Sequence, residues 1–191
     1  MKSSFLAVIV GVMLVGCGGA DTSSQALARE QASSAMKVGA TKCDTGDGWW
    51  EGRTIEGSLV VPAGATCRLS WCEVKGNTSV NGNLLTIGTT FDGNVEVDGG
   101  SLAGENWGST FLRNVSITNS KGSTVPGGSD QNGFWGDYSP TTIGGNFSYE
   151  GNSVPLYLNG PNTTVKGNFE YSGSPCGSTP TVMGHSEISC D

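Results

Sequence analysis

A seven-residue phrase recurs seven times between residues 55 and 188 of this chain. Its form is apolar-x-Gly-Asn-apolar-x-apolar, with single departures in several copies. A period of about 20 residues with strand-like content is typical of one supersecondary unit stacked on copies of itself. The repeat therefore predicts the fold, whereas it predicts no chemistry. The copies start at Ile55, Val74, Phe91, Phe111, Ile143, Val165 and Val182, so that their starts lie 19, 17, 20, 32, 22 and 17 residues apart.

Each unit is expected to form one coil of three short strands. Alternation such as Val95-Glu96-Val97 indicates strands with one buried face. The glycine before each asparagine predicts a corner at which φ is positive. Coils that pair in parallel through right-handed crossovers form a right-handed parallel β-helix. We therefore predict an all-β fold, a short solenoid of about seven coils, as one domain over residues 43–191.

The recurring asparagine is predicted to form a ladder along the solenoid, in which side-chain amides hydrogen-bond from one coil to the next. This structural role accounts for the asparagines without any ligand. The members are Asn77, Asn94, Asn114, Asn146 and Asn168, and His185 takes the same place in the last copy.

The N-terminus has the pattern of an exported lipoprotein. Lys2 precedes an apolar run from Phe5 to Val15, which is too short for a spanning helix and predicts a signal peptide over residues 1–16. The run ends in Leu14-Val15-Gly16-Cys17, which resembles the bacterial lipobox, and the resemblance implies that Cys17 is lipidated. Several acyl chains anchor a protein stably. Residues 17–42 are interpreted as the lipidated N-terminus and a flexible tether.

The predicted location is the cell envelope. In bacteria with two membranes, an aspartate after the lipidated cysteine commonly retains a lipoprotein at the inner membrane. Gly18 stands there instead, so this signal resembles one for the outer membrane if the organism has two membranes. The membrane, reached through the lipid anchor, is thus a predicted partner.

Export favours disulfide bonds among the other five cysteines. Cys176 and Cys190 lie fourteen residues apart, close to one coil, and are expected to pair and pin the C-terminal end. Cys43 is expected to pair with Cys67 or Cys72, with Cys67 favoured, and to pin the N-terminal end. The remaining thiol is interpreted as a small buried hydrophobic group. Metal binding is the alternative, but neither a CxxC motif nor a histidine cluster supports it. We expect no metal and no cofactor.

Residues 118–141 lengthen one coil, and their composition predicts a loop. Insertions in solenoids often form the binding face. One interpretation is a ligand platform, because aromatic rings with polar neighbours suit a saccharide or a peptide. The other is a plug that packs on the solenoid as an Ω-loop. Deletion of about 121–138 should restore the repeat period, and under the platform interpretation it should leave stability nearly unchanged. The candidate ligand-binding residues are Trp107, Phe134, Trp135 and Tyr138.

The stretch from Val61 to Leu69, Val-Pro-Ala-Gly-Ala-Thr-Cys-Arg-Leu, followed by Val74-Lys-Gly-Asn77 and a Cys-bearing tail, resembles a family of small exported bacterial β-helix proteins. The resemblance covers residues 43–190 and implies the β-helix fold, but no assigned activity. This chain departs from the family pattern at Cys72, at Arg113 and in the insertion.

The net charge and the distribution of carboxylates narrow the list of candidate functions. A net charge of −7 with few basic clusters argues against nucleic acid as a partner. The favoured function is a non-catalytic envelope lipoprotein, structural or binding, with an envelope glycan or protein as candidate partner. The alternative is a carbohydrate-binding or carbohydrate-cleaving surface protein that uses the aromatic insert. Cleavage needs paired carboxylates, and Asp92, Glu96 and Asp98 are scattered, so no catalytic residue is assigned. A self-assembling rod is a third possibility, which the pinned ends and the tether disfavour, and a monomer is expected.

Overall fold

The computed structural model describes residues 40–43, 48–122, 132–159, 162–173 and 179–190. Within these ranges the chain forms 21 β-strands and no α-helix, so nothing in the described part could span a membrane as a helix. The strands pair in parallel in three sheets and form a right-handed-type β-solenoid of about seven turns. The predicted fold class is thereby confirmed.

The strands are numbered in chain order. Six turns, β2–β4 to β17–β19, pass through sheets B, C and A in that order, and β20 and β21 then continue sheets C and A. Sheet A consists of β1 (Ala40–Lys42), β4 (Ser58–Val61), β7 (Thr78–Val80), β10 (Val95–Asp98), β13 (Val115–Thr118), β16 (Phe147–Glu150), β19 (Phe169–Gly173) and β21 (Ser186–Cys190). Sheet B consists of β2 (Gly48–Glu51), β5 (Thr66–Ser70), β8 (Asn83–Ile87), β11 (Ser101–Trp107), β14 (Asn132–Ser139) and β17 (Leu156–Leu158). Sheet C consists of β3 (Thr54–Ile55), β6 (Glu73–Val74), β9 (Thr90–Phe91), β12 (Thr110–Phe111), β15 (Thr141–Ile143), β18 (Thr163–Val165) and β20 (Thr181–Val182).

The repeated phrase is the corner between sheets C and A. Its first residue lies in sheet C. Its fifth and seventh residues lie in sheet A and are buried in the first six copies, so equivalent residues stack along the axis. Phe91 pairs with Phe111 in register, and their rings stack with centroids 4.9 Å apart. Phe147 and Phe169 repeat this arrangement at 5.5 Å. The core is therefore a set of continuous columns, in which each side chain contacts the residue one coil above and one coil below.

Glycine at the corner serves close stacking of the backbone. A Cβ on Gly93 would lie 2.5 Å from the carbonyl oxygen of Gly76 in the coil before, which is closer than such atoms approach. Neither glycine has a positive φ. The prediction that these corners need a positive φ is therefore wrong, and the missing side chain is what the corner requires.

The asparagine ladder is present, with a different bond from the one predicted. Each side-chain oxygen accepts a hydrogen bond from the backbone N–H of the next member, and not from the side-chain amide of that member. His185 closes the series as the last donor. The N–H to Oδ1 distances are 3.0 Å for Asn94 to Asn77, 3.2 Å for Asn114 to Asn94, 2.9 Å for Asn146 to Asn114, 2.9 Å for Asn168 to Asn146 and 3.2 Å for His185 to Asn168.

Part of the predicted loop at 118–141 is a strand, so this prediction is wrong for residues 132–139. The strand β14 lies between β11 and β17 inside sheet B. The excess length precedes it, and residues 123–131 lie outside the described part. The two ends of this excess meet in the core, where the side-chain nitrogen of Asn132 donates to the hydroxyl of Ser120 over 2.8 Å. Consequently a deletion of 121–138 would remove a strand of the sheet.

One disulfide closes the N-terminal part of the solenoid. Cys43 is bonded to Cys67, which confirms the favoured pairing. Cys72 is buried, and its thiol donates to the carbonyl oxygen of Trp50 over 3.3 Å, in agreement with a structural role. The predicted bond between Cys176 and Cys190 lies outside the described residues, because it involves Cys176 and the Cys190 side chain. Cys17, the signal peptide and nearly all of the tether also lie outside them.

Candidate binding surface

The four aromatic residues predicted to bind a ligand have different positions. Phe134 is fully buried, and its ring centroid lies 5.4 Å from that of Phe111 in the core. Gly104 makes room for this ring, since a Cβ at that position would lie 2.8 Å from Cδ1 of Phe134. Phe134 is therefore a core residue, and its assignment to a ligand site is wrong. Trp107, Trp135 and Tyr138 all reach the surface on the same sheet.

A tryptophan occupies a position that belongs to glycine in the neighbouring coils. The N–H groups of Gly52, Trp71 and Gly88 make the same hydrogen bond to the next coil, at 2.9, 2.8 and 2.9 Å. All three residues have a positive φ, of 60°, 54° and 55° respectively. A bulky side chain at such a φ is a genuine outlier and costs about 1–3 kcal/mol. Trp71 is nevertheless 50% exposed, so only about half of its ring is buried.

Trp71 begins an exposed row of rings that runs along the solenoid axis. Its ring lies over Gly88, where a Cβ would approach Cε3 of Trp71 to 2.5 Å. Leaning over the glycine brings Trp71 to Trp107, two coils away, with centroids 5.5 Å apart. Trp107 then stacks on Tyr138 of the following coil, also at 5.5 Å. We call Trp71, Trp107 and Tyr138 the aromatic row; Trp107 is 42% and Tyr138 is 71% exposed.

A β-bulge gives the row its outward position. Glu105 pairs with Trp135 and Trp107 pairs with Ser139, so that Asn106 alone lies opposite residues 136–138. Asn106 has a positive φ of 54°. Bulges bend a strand, redirect its side chains and occur next to functional sites. Here Tyr138 lies in the bulged part of β14, and its ring lies beside that of Trp107.

A second pair of rings lies on the outward face of the same sheet. Trp135 stacks on Tyr157 of the next coil, with centroids 5.6 Å apart and ring planes inclined by 17°. Trp135 is half-buried and Tyr157 is 42% exposed. We call these two residues the aromatic pair. Because Trp135 and Tyr138 are on one strand, β14 connects the pair to the row.

Carboxylate side chains lie on the two strands that carry these rings, Glu105 on β11 and Asp137 on β14. Asp137 is exposed on the bulge, and its Oδ1 accepts a hydrogen bond from the Asn159 amide over 3.3 Å. The amide of Asn162 donates to the carbonyl oxygen of Gly136 over 3.0 Å and holds the same bulge. Glu105 is half-buried beside Trp135. The surface thus combines flat apolar rings with carboxylate acceptors, of which Asp137 is oriented by Asn159.

A buried polar cluster fixes the start of β14 and so positions this surface. The Oδ1 of Asn132 accepts from the Leu102 N–H over 2.9 Å, and its amide also donates to the hydroxyl of Tyr149 over 3.3 Å. Tyr149 in turn donates to the carbonyl oxygen of Val154 over 2.6 Å. Burial raises the pKa of Tyr149 to about 12, which favours the neutral hydroxyl that donates this bond. The cluster ties β14 to both neighbouring coils.

Two residues of this surface were not identified from the sequence. Trp71 carries a detectable signal, since it stands six residues before the corner asparagine, where the flanking coils have Gly52 and Gly88. Tyr157 carries no comparable signal, because its role depends on pairing with the strand of Trp135.

As for metals, no group of three His, Cys, Asp or Glu residues in the described ranges is placed to hold an ion.

Comparison of the chain with protein-family models, with curated proteins and with solved structures finds no match in any of the three.

Proposed function

We propose that this protein is a non-catalytic lipoprotein of the cell envelope, in which a rigid β-solenoid presents the aromatic row to an envelope ligand. The observation that carries the binding role is Trp71, which stands in a glycine position at a positive φ and remains half exposed. Strained backbone clusters at functional sites, where the strain is offset by the surrounding structure. Three rings in line at the surface are also an unusual apolar exposure for a solenoid with so many polar outward residues.

The geometry of the scaffold supports binding without large movement. The row is carried on strands and their immediate ends, which position side chains more accurately than loops do. Backbone hydrogen bonds from Trp71 to Ile87 and from Gly88 to Trp107 link the coils that bear the rings. A preorganised surface loses little conformational entropy when a ligand docks on it.

The location in the envelope is proposed from the N-terminal sequence. The apolar run and the lipobox-like Leu14-Val15-Gly16-Cys17 support export and lipidation at Cys17. Residues 17–42 then tether the solenoid to the membrane, and Gly18 supports an outer-membrane destination in a bacterium with two membranes. The resemblance to small exported β-helix proteins supports the same compartment.

Retention on isolated envelope tests the binding role. Full-length protein, purified in detergent, is mixed with sedimented cell envelopes, and the bound fraction is measured against envelope concentration. Trp107→Ala is expected to weaken retention at least tenfold, because a lost stacking contact of about 1.4 kcal/mol corresponds to that factor. Trp49→Ala removes an exposed tryptophan outside the row and should leave retention unchanged. Equal retention of wild type and Trp107→Ala would contradict the proposal.

Lipidation has a separate test. Cells supplied with a clickable palmitate analogue should label the wild-type protein and should not label Cys17→Ser. Equal labelling of both proteins would refute the lipid anchor without bearing on the aromatic row.

A further inference from the structure

We propose that the ligand is a glycan without acidic groups, and that it spans the aromatic row and the aromatic pair. This inference rests on the proposed binding function and adds the chemical class of the ligand. Both ring groups contribute a residue of β14, Tyr138 to the row and Trp135 to the pair. Three positions along a strand are at most about 10 Å, so one oligosaccharide can contact both groups.

The rings offer the apolar part of such a site. A sugar ring has C–H groups on its faces and hydroxyls at its rim, so it packs against an aromatic ring while its rim stays polar. Tyr138 is 71% exposed, which leaves most of its ring surface free beyond the stack with Trp107. Tyr157 is 42% exposed at the end of the pair. Each ring group therefore has surface at which a sugar can pack.

The carboxylates of Glu105, opposite Trp135, and of Asp137, next to Tyr138, favour ligands that donate hydrogen bonds. Carboxylates are acceptors only, and each has about four lone-pair sites. The bond from Asn159 to Asp137 uses one of these and orients the carboxylate. Glu105, opposite Trp135 in the sheet, supplies a second carboxylate. Sugar hydroxyls donate hydrogen bonds, so they match these two carboxylate acceptors.

The same groups disfavour the other ligands that dock on aromatic surfaces. A proline-rich peptide also packs on rings, but its prolines present carbonyl acceptors and have no N–H to donate to Asp137 or Glu105. Glycans that carry carboxylates or phosphates would place like charges beside these two residues on a chain of net charge −7. Neutral or amino-bearing sugars meet no such repulsion.

The test uses an array of neutral hexose, glucosamine and galacturonate oligosaccharides together with a proline-rich peptide. Full-length protein in detergent is expected to bind members of the first two classes and to bind galacturonate at least tenfold more weakly. Trp135→Ala should weaken glycan binding at least tenfold, whereas Trp49→Ala should not. The double variant Glu105→Gln, Asp137→Asn should reduce the discrimination against galacturonate.

Three outcomes would overturn the inference: equal or better binding of galacturonate, binding of the peptide alone, or no binding of any oligosaccharide. In each case the envelope-retention experiment shows whether the wider proposal also fails. If retention still depends on Trp107, the row binds a ligand of another class, and only the glycan assignment is wrong. If retention does not depend on Trp107, the proposed function fails as well.

Discussion

The corner between sheets C and A and the outward side of sheet B are built by the same solenoid, yet they differ in regularity. At the corner, six of the seven copies have the glycine, with Arg113 as the exception, and five successive coils share the asparagine and its N–H to Oδ1 bond. On sheet B, one coil replaces a glycine by Trp71, another contains a bulge, and residues are inserted before β14. The repeat is kept where it supports the stack and is broken where the rings reach the surface.

This difference separates residues that stabilise the solenoid from residues that form the proposed binding surface. Sheet A has outward residues such as Ser79, Glu96 and Ser116, which alternate with buried ones and need no partner. Sheet B has outward aromatic residues that stack on one another across coils. Changes at inward positions should therefore affect stability, whereas changes at the row should affect binding.

The largest effect is expected from deletions around β14, which distinguish the strand from the inserted residues. Removal of 121–138 eliminates most of β14 and takes Phe134 out of the core, so the protein should fail to fold. Removal of 123–130 alone should change the free energy of unfolding by about 1 kcal/mol or less, because the Ser120–Asn132 bond already places the two ends together. Circular dichroism melts of both variants make the comparison. A stable 121–138 deletion would show that β14 is dispensable.

A charge in a core column should come next. Val95 is 1% exposed and lies between Thr78 and Val115 in adjacent coils. Val95→Asp buries an unpaired carboxylate, which costs several kcal/mol, a large part of the roughly 5–15 kcal/mol that stabilises a domain. The adjacent outward residue gives the control, since Glu96→Ala should change stability by no more than about 0.5 kcal/mol. Equal melting temperatures for the two variants would contradict the stacked columns.

The disulfide is expected to have a smaller effect. The bond between Cys43 and Cys67 closes a loop with a sequence separation of 24. The chain-entropy model gives about 3 kcal/mol for a loop of this size. The double variant Cys43→Ser, Cys67→Ser should therefore unfold at lower denaturant while retaining the β spectrum. The control Cys72→Ala removes a thiol without a disulfide and should cost about 1 kcal/mol. A shift no larger than that of the control would contradict the prediction.

The fold could be predicted because the sequence pattern that specifies it is local and recurs in every coil. Each phrase such as Phe91–Val97 specifies its own corner, and stacking follows from the period alone. The function of the corner glycine could not be predicted in the same way, because a side chain at Gly93 would clash with Gly76 of another coil, and the sequence of one coil does not reveal this contact. The strand β14 could not be predicted for a related reason: Gly, Asn and Ser around Phe134 indicate a loop by composition, and pairing with β11 and β17 makes residues 132–139 a strand.

The candidate site could be predicted only in part. The sequence predicts Trp135 and Tyr138 as ligand-binding residues because they lie in the insertion, and Trp107 because it lies one coil earlier, and both are local signals. Their division into a row and a pair depends on a register shift that no single segment specifies. Phe134 was misassigned because its sequence neighbours resemble those of Trp135, whereas alternation along β14 turns it into the core.

The replacement of Trp71 by glycine tests most directly whether the row exists for binding. Trp71→Gly relieves about 1–3 kcal/mol of backbone strain, but it loses about 0.5–1.5 kcal/mol of ring stacking and about 2–3 kcal/mol from the buried half of the ring. We predict that the free energy of unfolding changes by no more than about 2 kcal/mol, while retention on isolated envelopes falls at least tenfold. Destabilisation by more than about 2 kcal/mol with unchanged retention would contradict the account, because Trp71 would then be part of the scaffold.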